Sequence, residues 1–240
     1  MHAQIVADTL GVPYDAIEVN AADTGEVPDS GPTVASRTCM IVGRILQRCA
    51  EEMRDRLGRL TPREYLRRHG PLVITEGIRA AVGHVVGRRD LSRRRVRHAT
   101  AGRAMSSNSK SIPTRGRSRP VEFTTVHEIG KAIHPLLAVG QIEGGSAQGL
   151  GYALLEDVVM RDGRMANAQL TNYIIPTTLD TPTMRRDRCS RIRIQHGPFG
   201  AKGVGEMPID GPAPAVINAL RHAGLRPARH SRDARTDKKS

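Results

Sequence analysis

Aromatic side chains are nearly missing from this chain, which has no Trp, two Phe and four Tyr among 240 residues. Stacking on nucleobases needs aromatic rings, so a single-strand nucleic-acid platform has little to work with. Cysteine is as scarce. Cys39, Cys49 and Cys189 show no CxxC spacing and cannot all pair. That argues against a disulfide framework, a zinc module or a ligand set for an iron–sulfur cluster, and it fits a reducing cytoplasm. No apolar run is long enough to cross a bilayer and no secretory segment opens the chain, so neither membrane insertion nor export is expected.

Positive charge is in excess. Lys and Arg number 37 against 24 Asp and Glu, a formal +13. Such a balance suggests an anionic partner, nucleic acid first. The distribution points elsewhere. The stretches 79–119, 185–193 and 221–240 carry 24 of the basic residues and 4 of the acidic ones, which leaves the remainder net acidic. The basic character belongs to three inserts that hold no aromatic residue and no recognisable nucleic-acid module, and nucleic acid is disfavoured as a partner.

Between the inserts the sequence is patterned. His2–Leu10 reads as a helix stopped at Gly11 with Pro13 beyond it, and Ala16–Val19 as a short strand. The loop AADTGEVPDSGPTVASR then supplies the hydroxyls of Ser30, Thr33 and Ser36 just ahead of a helix. They suit an N-cap, and equally a phosphate or a flat heterocycle. From Cys39 to Leu57 the residues Ile41, Ile45, Leu46, Cys49, Ala50, Met53 and Leu57 recur at helical spacing. Thr61-Pro62-Arg63-Glu64 is a capping box, which predicts a short helix to about His69.

VEFTTVHEIG reads as a strand with Val121, Phe123 and Val126 as its buried set. In HEIGKAIH the histidines stand seven residues apart rather than the four of HExxH, so no zinc site is expected. The glycines of GQIEGGSAQGLGYALLE, residues 140–156, match neither GxGxxG nor a phosphate-binding loop. Ile142, Ala147, Leu150, Leu154 and Leu155 mark this segment as a helix, whose glycines admit close approach by another helix or by a ligand. Arg161-Asp162-Gly163-Arg164 is a hairpin turn signal.

The densest run of glycine and proline is HGPFGAKGVGEMPIDGPAPAVINAL, residues 196–220, which ends in a helix over Ala213–Arg221. Glycine leaves room for backbone to approach a ligand, and successive N–H groups in such a loop form an anion-binding hollow. Glu206 is the one carboxylate between Gly197 and Pro208. A carboxylate held on a tight loop beside a bound group is what a positioned general base requires. A surface turn leading into an ordinary helix is the alternative on local chemistry.

GPFGAKGVGEMP resembles the C-terminal motif of the molybdopterin-binding large subunit of the xanthine dehydrogenase, aldehyde oxidase and carbon monoxide dehydrogenase family. GQIEGGSAQGLG resembles that family's QxEGxxxQGxG segment, and NAQLTNYIIPTTLD the proline turn that follows it. The resemblance covers roughly residues 2–75, 121–184 and 196–225. It implies an α+β fold, a C-terminal molybdopterin-binding domain fragment interrupted by disordered basic inserts. It implies a molybdenum-pterin cofactor, either molybdopterin or its cytosine dinucleotide form, with FAD and 2Fe–2S groups on partners, an FAD-binding subunit and an iron–sulfur subunit. The implied reaction is hydroxylation of a small-molecule substrate with oxygen from water. Glu206 takes the role of the base beside the molybdenum. Gln141 becomes a pterin contact, joined in the cofactor-binding set by Gly144, Gly145, Gln148, Ser30, Thr33, Ser36, Lys202 and Gly203. Lys202 would be the charge that balances Glu206, and no side chain of this chain ligates the metal.

The resulting division is 1–75 and 121–225 as two parts of the cofactor-binding domain, 76–120 as an anomalous basic segment without regular structure, and 226–240 as a disordered tail. Ser109-Lys110-Ser111 stands about where the resembling family has a strand of alternating valine and acidic residues. Valine–glutamate codons read one base out of register give Ser-Lys-Ser, so the basic inserts read as out-of-frame translation in a truncated gene. A remnant that keeps the motifs without a complete site is the reading that competes with an active subunit.

Overall fold

The computed structural model describes residues 1–20, 23–25, 27, 31–76, 103–112, 117–186 and 197–225. The chain forms two compact units and passes back and forth between them. The first holds Met1–Thr100, Ile129–Pro135 and Arg191–Gly203; the second holds Ala101–Glu128, Leu136–Ser190 and Val204–Ser240.

The first unit is helical. Helix α1 (His2–Leu10) buries Ala3, Ile5, Ala7 and Thr9. Thr9 is accommodated because its Oγ1 donates to the Ile5 carbonyl at 2.7 Å, which satisfies the hydroxyl inside the helix itself. Helix α2 (Gly43–Leu57) packs against α1 and is entered through one wider, π-type turn, Thr38–Val42. Its buried residues are Gly43, Gln47 and Ala50. The apolar residues Ile45, Leu46 and Cys49 are only half-buried. The small face goes inward because a Cβ at position 43 would lie 2.9 Å from Ile5 Cδ1 and 3.1 Å from Pro198 Cγ. Helix α3 (Pro62–His69) carries the expected capping box: Glu64 N–H donates to Thr61 Oγ1 at 3.3 Å and Thr61 N–H to Glu64 Oε2 at 2.8 Å. The Thr61 N–H and the Thr61 hydroxyl, both donating to the Glu64 carboxylate, hold it below the usual carboxylate range. The short strand expected over Ala16–Val19 does not form. Tyr14–Ala16 is a single 3-10 turn, and the extended residues after it join no ladder.

The second unit is built on a sheet. Strands β1 (Arg103–Ile112) and β2 (Arg117–His127) pair antiparallel. Over 103–112 and 117–120 the expectation of no regular structure fails, because a ladder is made by main-chain groups and β2 offers β1 a partner along its whole length. Residues 77–102 and 113–116 of that segment lie outside the described residues, as do 187–196 of the second insert and the tail 226–240. The ladder is bulged: Asn108 faces Glu122 and Ser109 faces Pro120, so Val121 has no partner on β1. Pro120 is tolerated because the third strand of the sheet pairs only with Glu122–Thr125. Beyond the bulge Phe123, Thr125 and His127 are buried in alternation. Val121, expected inside, is 43% exposed, and Val126 is half-buried on the opposite face.

Helix α4 (Pro135–Leu154) follows, then the hairpin of β3 (Met160–Arg161) and β4 (Arg164–Met165). Its turn residues Asp162 and Gly163 have φ of 48° and 74°, the primed geometry that matches strand twist. The proline-turn segment is tied down by Tyr173 Oη donating to Glu156 Oε2 at 2.7 Å and by Arg119 Nη2 donating to the Leu179 carbonyl at 2.7 Å. Strand β5 (Thr183–Arg186) runs parallel to β2, giving the order β1-β2-β5. Helix α5 (Pro212–His222) packs on β1. The core joins Phe123 to Leu150 and Ala153 of α4 and to Ala213, Val216 and Leu220 of α5. Among the described residues no helix is long and apolar enough to cross a membrane.

Phe123 is fully buried in an otherwise aliphatic cluster. Phe123→Ala is expected to cost about 3–5 kcal/mol, and Val121→Ala to stay within about 0.5 kcal/mol, in urea unfolding followed by circular dichroism.

Candidate functional site

Two sets of small residues alternate along α4, and the helical period sends them to different faces. Gln141, Gly144 and Gln148, spaced at i, i+3 and i+7, are all exposed. A Cβ added at Gly140 or Gly144 would meet nothing within 4 Å. The result is a helix face on which a carboxamide stands at either side of bare backbone. Tyr152, one further turn along, is 53% exposed. Gly145 and Gly149 lie on the buried side of the same helix. A Cβ at Gly145 would be 2.8 Å from Pro208 Cβ; at Gly149 it would be 2.6 Å from the Ile209 carbonyl oxygen and 2.7 Å from Pro212 Cγ. Gly145 therefore serves helix-to-loop packing, while Gln141, Gly144 and Gln148 present themselves outward.

The segment that fills this groove carries Glu206. Met207–Ile209 forms one 3-10 turn with Glu206 at its head, closed by Ile209 N–H donating to the Glu206 carbonyl at 3.3 Å. Pro208 is buried and Glu206 is exposed. Gln141 precedes Gly145 by one helical turn and Glu206 precedes Pro208 by two residues, so both lie close along their own segments to the same contact. The carboxylate is anchored by its neighbours and left accessible.

In the first unit the glycine-rich loop meets the hydroxyl loop. A Cβ at Gly203 would lie 2.0 Å from the Ser36 carbonyl oxygen. Ala35 and Ser36 both have φ near 50°, at 51° and 52°, a conformation unfavourable for residues other than glycine. Arg37 Nε donates to the Pro32 carbonyl at 2.8 Å and closes the loop on itself. Thr33 is exposed, and Ser30 lies outside the described residues. Lys202 is half-buried; its N–H donates to the Ile129 carbonyl at 2.9 Å, and burial pushes its ammonium below the usual lysine range. Ser36, Lys202 and Gly203 belong to the first unit, and Gln141, Gly144, Gln148 and Glu206 to the second.

His127, one of the histidines weighed for zinc, is buried, with its Nε2 and Thr125 Oγ1 2.6 Å apart in a hydrogen bond. Among the described residues no group of three or more His, Cys, Asp or Glu side chains is arranged to hold a metal ion. The sequence reading missed Gly140, Gly149 and Pro208. Their signal was present in the four-residue spacing of Gly140 and Gly144 beside that of Gly145 and Gly149, which defines two faces once the segment is taken as a helix.

Comparison with known proteins identifies the class. The sequence profile of the molybdopterin cofactor-binding domain matches residues 1–108 and 112–182, and the chain belongs to that family. The match runs through the basic stretch 79–119 except for residues 109–111, and stops short of Glu206. Over 92% of its length the chain is 26% identical to subunit gamma of the 6-hydroxypseudooxynicotine dehydrogenase complex of Paenarthrobacter nicotinovorans. Over 92% it is also 27% identical to the xanthine dehydrogenase molybdenum-binding subunit of Escherichia coli O157:H7. It spans 31% and 33% of those proteins, about a third of their length. Among solved structures, quinoline 2-oxidoreductase from Pseudomonas putida 86 superposes with a TM-score of 0.71 at 28% identity, covering 96% of this chain and 33% of that one. The aldehyde oxidoreductase from Desulfovibrio gigas shares the fold, with a TM-score of 0.77 at 22% identity, covering 97% of this chain and 26% of that one.

The α4 face fits a pterin. A flat fused ring carrying amide-like donors and acceptors along its edge can lie against backbone only where no Cβ projects, and Gly140 and Gly144 leave that space open. Carboxamides such as Gln141 and Gln148 offer both a donor and an acceptor to such an edge.

The two glycine environments predict opposite responses. Gly144→Ala is expected to raise stability by about 0.5–1 kcal/mol, because alanine is the better helix former and meets no neighbour. Gly203→Ala is expected to cost about 3 kcal/mol, since the new methyl would run into the Ser36 carbonyl. Denaturant melts of the two variants beside the parent chain measure both.

Proposed function

We propose that this chain is the molybdenum-cofactor-binding portion of a molybdenum hydroxylase of the xanthine, aldehyde or carbon monoxide dehydrogenase type. The observation that carries the reading is the arrangement of the second unit: Gln141, Gly144 and Gln148 share one exposed face of α4, and the turn bearing Glu206 is clamped to the same helix at Gly145.

In this reading Gln141 and Gln148 hold the edge of the pterin by hydrogen bonds and Gly144 lets the ring approach the helix backbone. On the first unit Ser36, beside Gly203, and Thr33 offer hydroxyls of the kind that hold a phosphate. When bound, the cofactor supplies two-electron redox chemistry and oxygen derived from water. Glu206 acts as the general base: a carboxylate oxygen of its side chain receives the proton given up as the small substrate is hydroxylated. Lys202, its ammonium held below the usual lysine range by burial, is a further cofactor contact on the first unit, next to Gly203. Separate iron–sulfur and FAD-binding subunits, in the cytoplasm, would carry the 2Fe–2S and FAD groups that accept the electrons.

The chain spans about a third of the length of the curated relatives it matches, and Glu206 is exposed in it. That observation favours, as the second reading, a polypeptide that keeps the cofactor-side surface and needs further protein to enclose the reacting groups.

Glu206→Gln in the assembled enzyme is expected to lower kcat by about 10²-fold or more while molybdenum and pterin content stay at the parent level. Turnover with xanthine, an aldehyde and quinoline, set beside metal analysis of the same samples, checks it. Loss of molybdenum together with activity would assign Glu206 a structural role instead.

A further inference from the structure

We infer that Gly145 and Gly149 are positioning residues, which fix the turn bearing Glu206 on α4 through Pro208 and Pro212 rather than touching cofactor or substrate. The inference rests on the reading of Glu206 as the base. Pro208 sits against Gly145, and the Ile209 carbonyl and Pro212 sit against Gly149, one helical turn later. The loop therefore advances along α4 in the helix's own direction, in register with two missing side chains. A proline ring cannot rotate away from an added methyl, and at Gly149 the nearest atom is a backbone carbonyl. A Cβ at either position must therefore displace the turn itself.

Glu206 is close behind that anchor. It precedes Pro208 by two residues, at most about 7 Å of chain, and Ile209 N–H closes the turn onto its carbonyl at 3.3 Å. Pro208 and Pro212 are both fully buried, whereas Glu206 is exposed. The backbone of the turn is thus immobilised from its buried side while the carboxylate faces out. A general base needs this division, because a displacement of about 1 Å is enough to lose about 10²-fold in rate. Gly145, assigned by resemblance to the cofactor, is on this account one step removed from it.

Hydrogen–deuterium exchange on the full chain tests the anchor without any cofactor. In Gly145→Ala the Ile209 amide is expected to exchange about tenfold faster or more, while amides in the middle of α4 keep their protection. The double variant Gly145→Ala/Pro208→Ala, which removes the colliding ring, is expected to restore Ile209 protection. Unchanged exchange at Ile209 in the single variant would overturn the inference, and so would a general loss of protection along α4 or a failure of the double variant to restore Ile209. Glu206→Gln is expected to leave the exchange pattern as in the parent. A failure of the base assignment would therefore show in turnover and not in this experiment.

Discussion

The fold hangs on the absence of side chains opposite three prolines. Pro198 rests against Gly43 of α2 in the first unit, and Pro208 and Pro212 against Gly145 and Gly149 of α4 in the second. All three prolines are fully buried. A proline ring laid on bare helix backbone gives rigid contact on both sides, since neither partner has a rotamer to lose on packing. The glycine-rich loop is consequently held at Pro198 in the first unit and at Pro208 in the second, with Gly205 and Glu206 exposed just ahead of Pro208.

The same economy explains the two faces of α4. One helix uses glycine for opposite purposes, with Gly145 and Gly149 filled by protein and Gly140 and Gly144 left clear. The filled face ties the helix to the Glu206 turn and, through Leu150 and Ala153, to the core around Phe123. The clear face is flanked by Gln141 and Gln148, so donors and acceptors stand beside an accessible backbone strip. Membership of the molybdopterin cofactor-binding domain family is what makes a pterin the proposed ligand of that strip.

Much of this was legible in the sequence because the informative residues are glycine, proline and capping side chains, whose preferences are local. The helix over His2–Leu10, the capping box at Thr61–Glu64 and the hairpin turn at Asp162–Gly163 follow from such rules. The errors came where partners decide. Val121 reads as buried by strand alternation but sits at a bulge set by Pro120 and β1. Ala16–Val19 has strand propensity and no ladder partner. Segment 103–112 looks structureless by composition and becomes β1 because β2 accepts it. Gly145 groups with Gly144 by linear spacing, which does not separate faces of a helix until the packing partner, Pro208, is known.

The central claim is that the exposed face of α4 receives the pterin. A structure of the complete, cofactor-loaded subunit tests it most directly, through the distances from the Gln141 and Gln148 carboxamides to the pterin edge. The account predicts hydrogen-bond contact at about 3 Å from at least Gln141, with the ring over Gly144. A pterin bound elsewhere, with both carboxamides left in solvent, would contradict it.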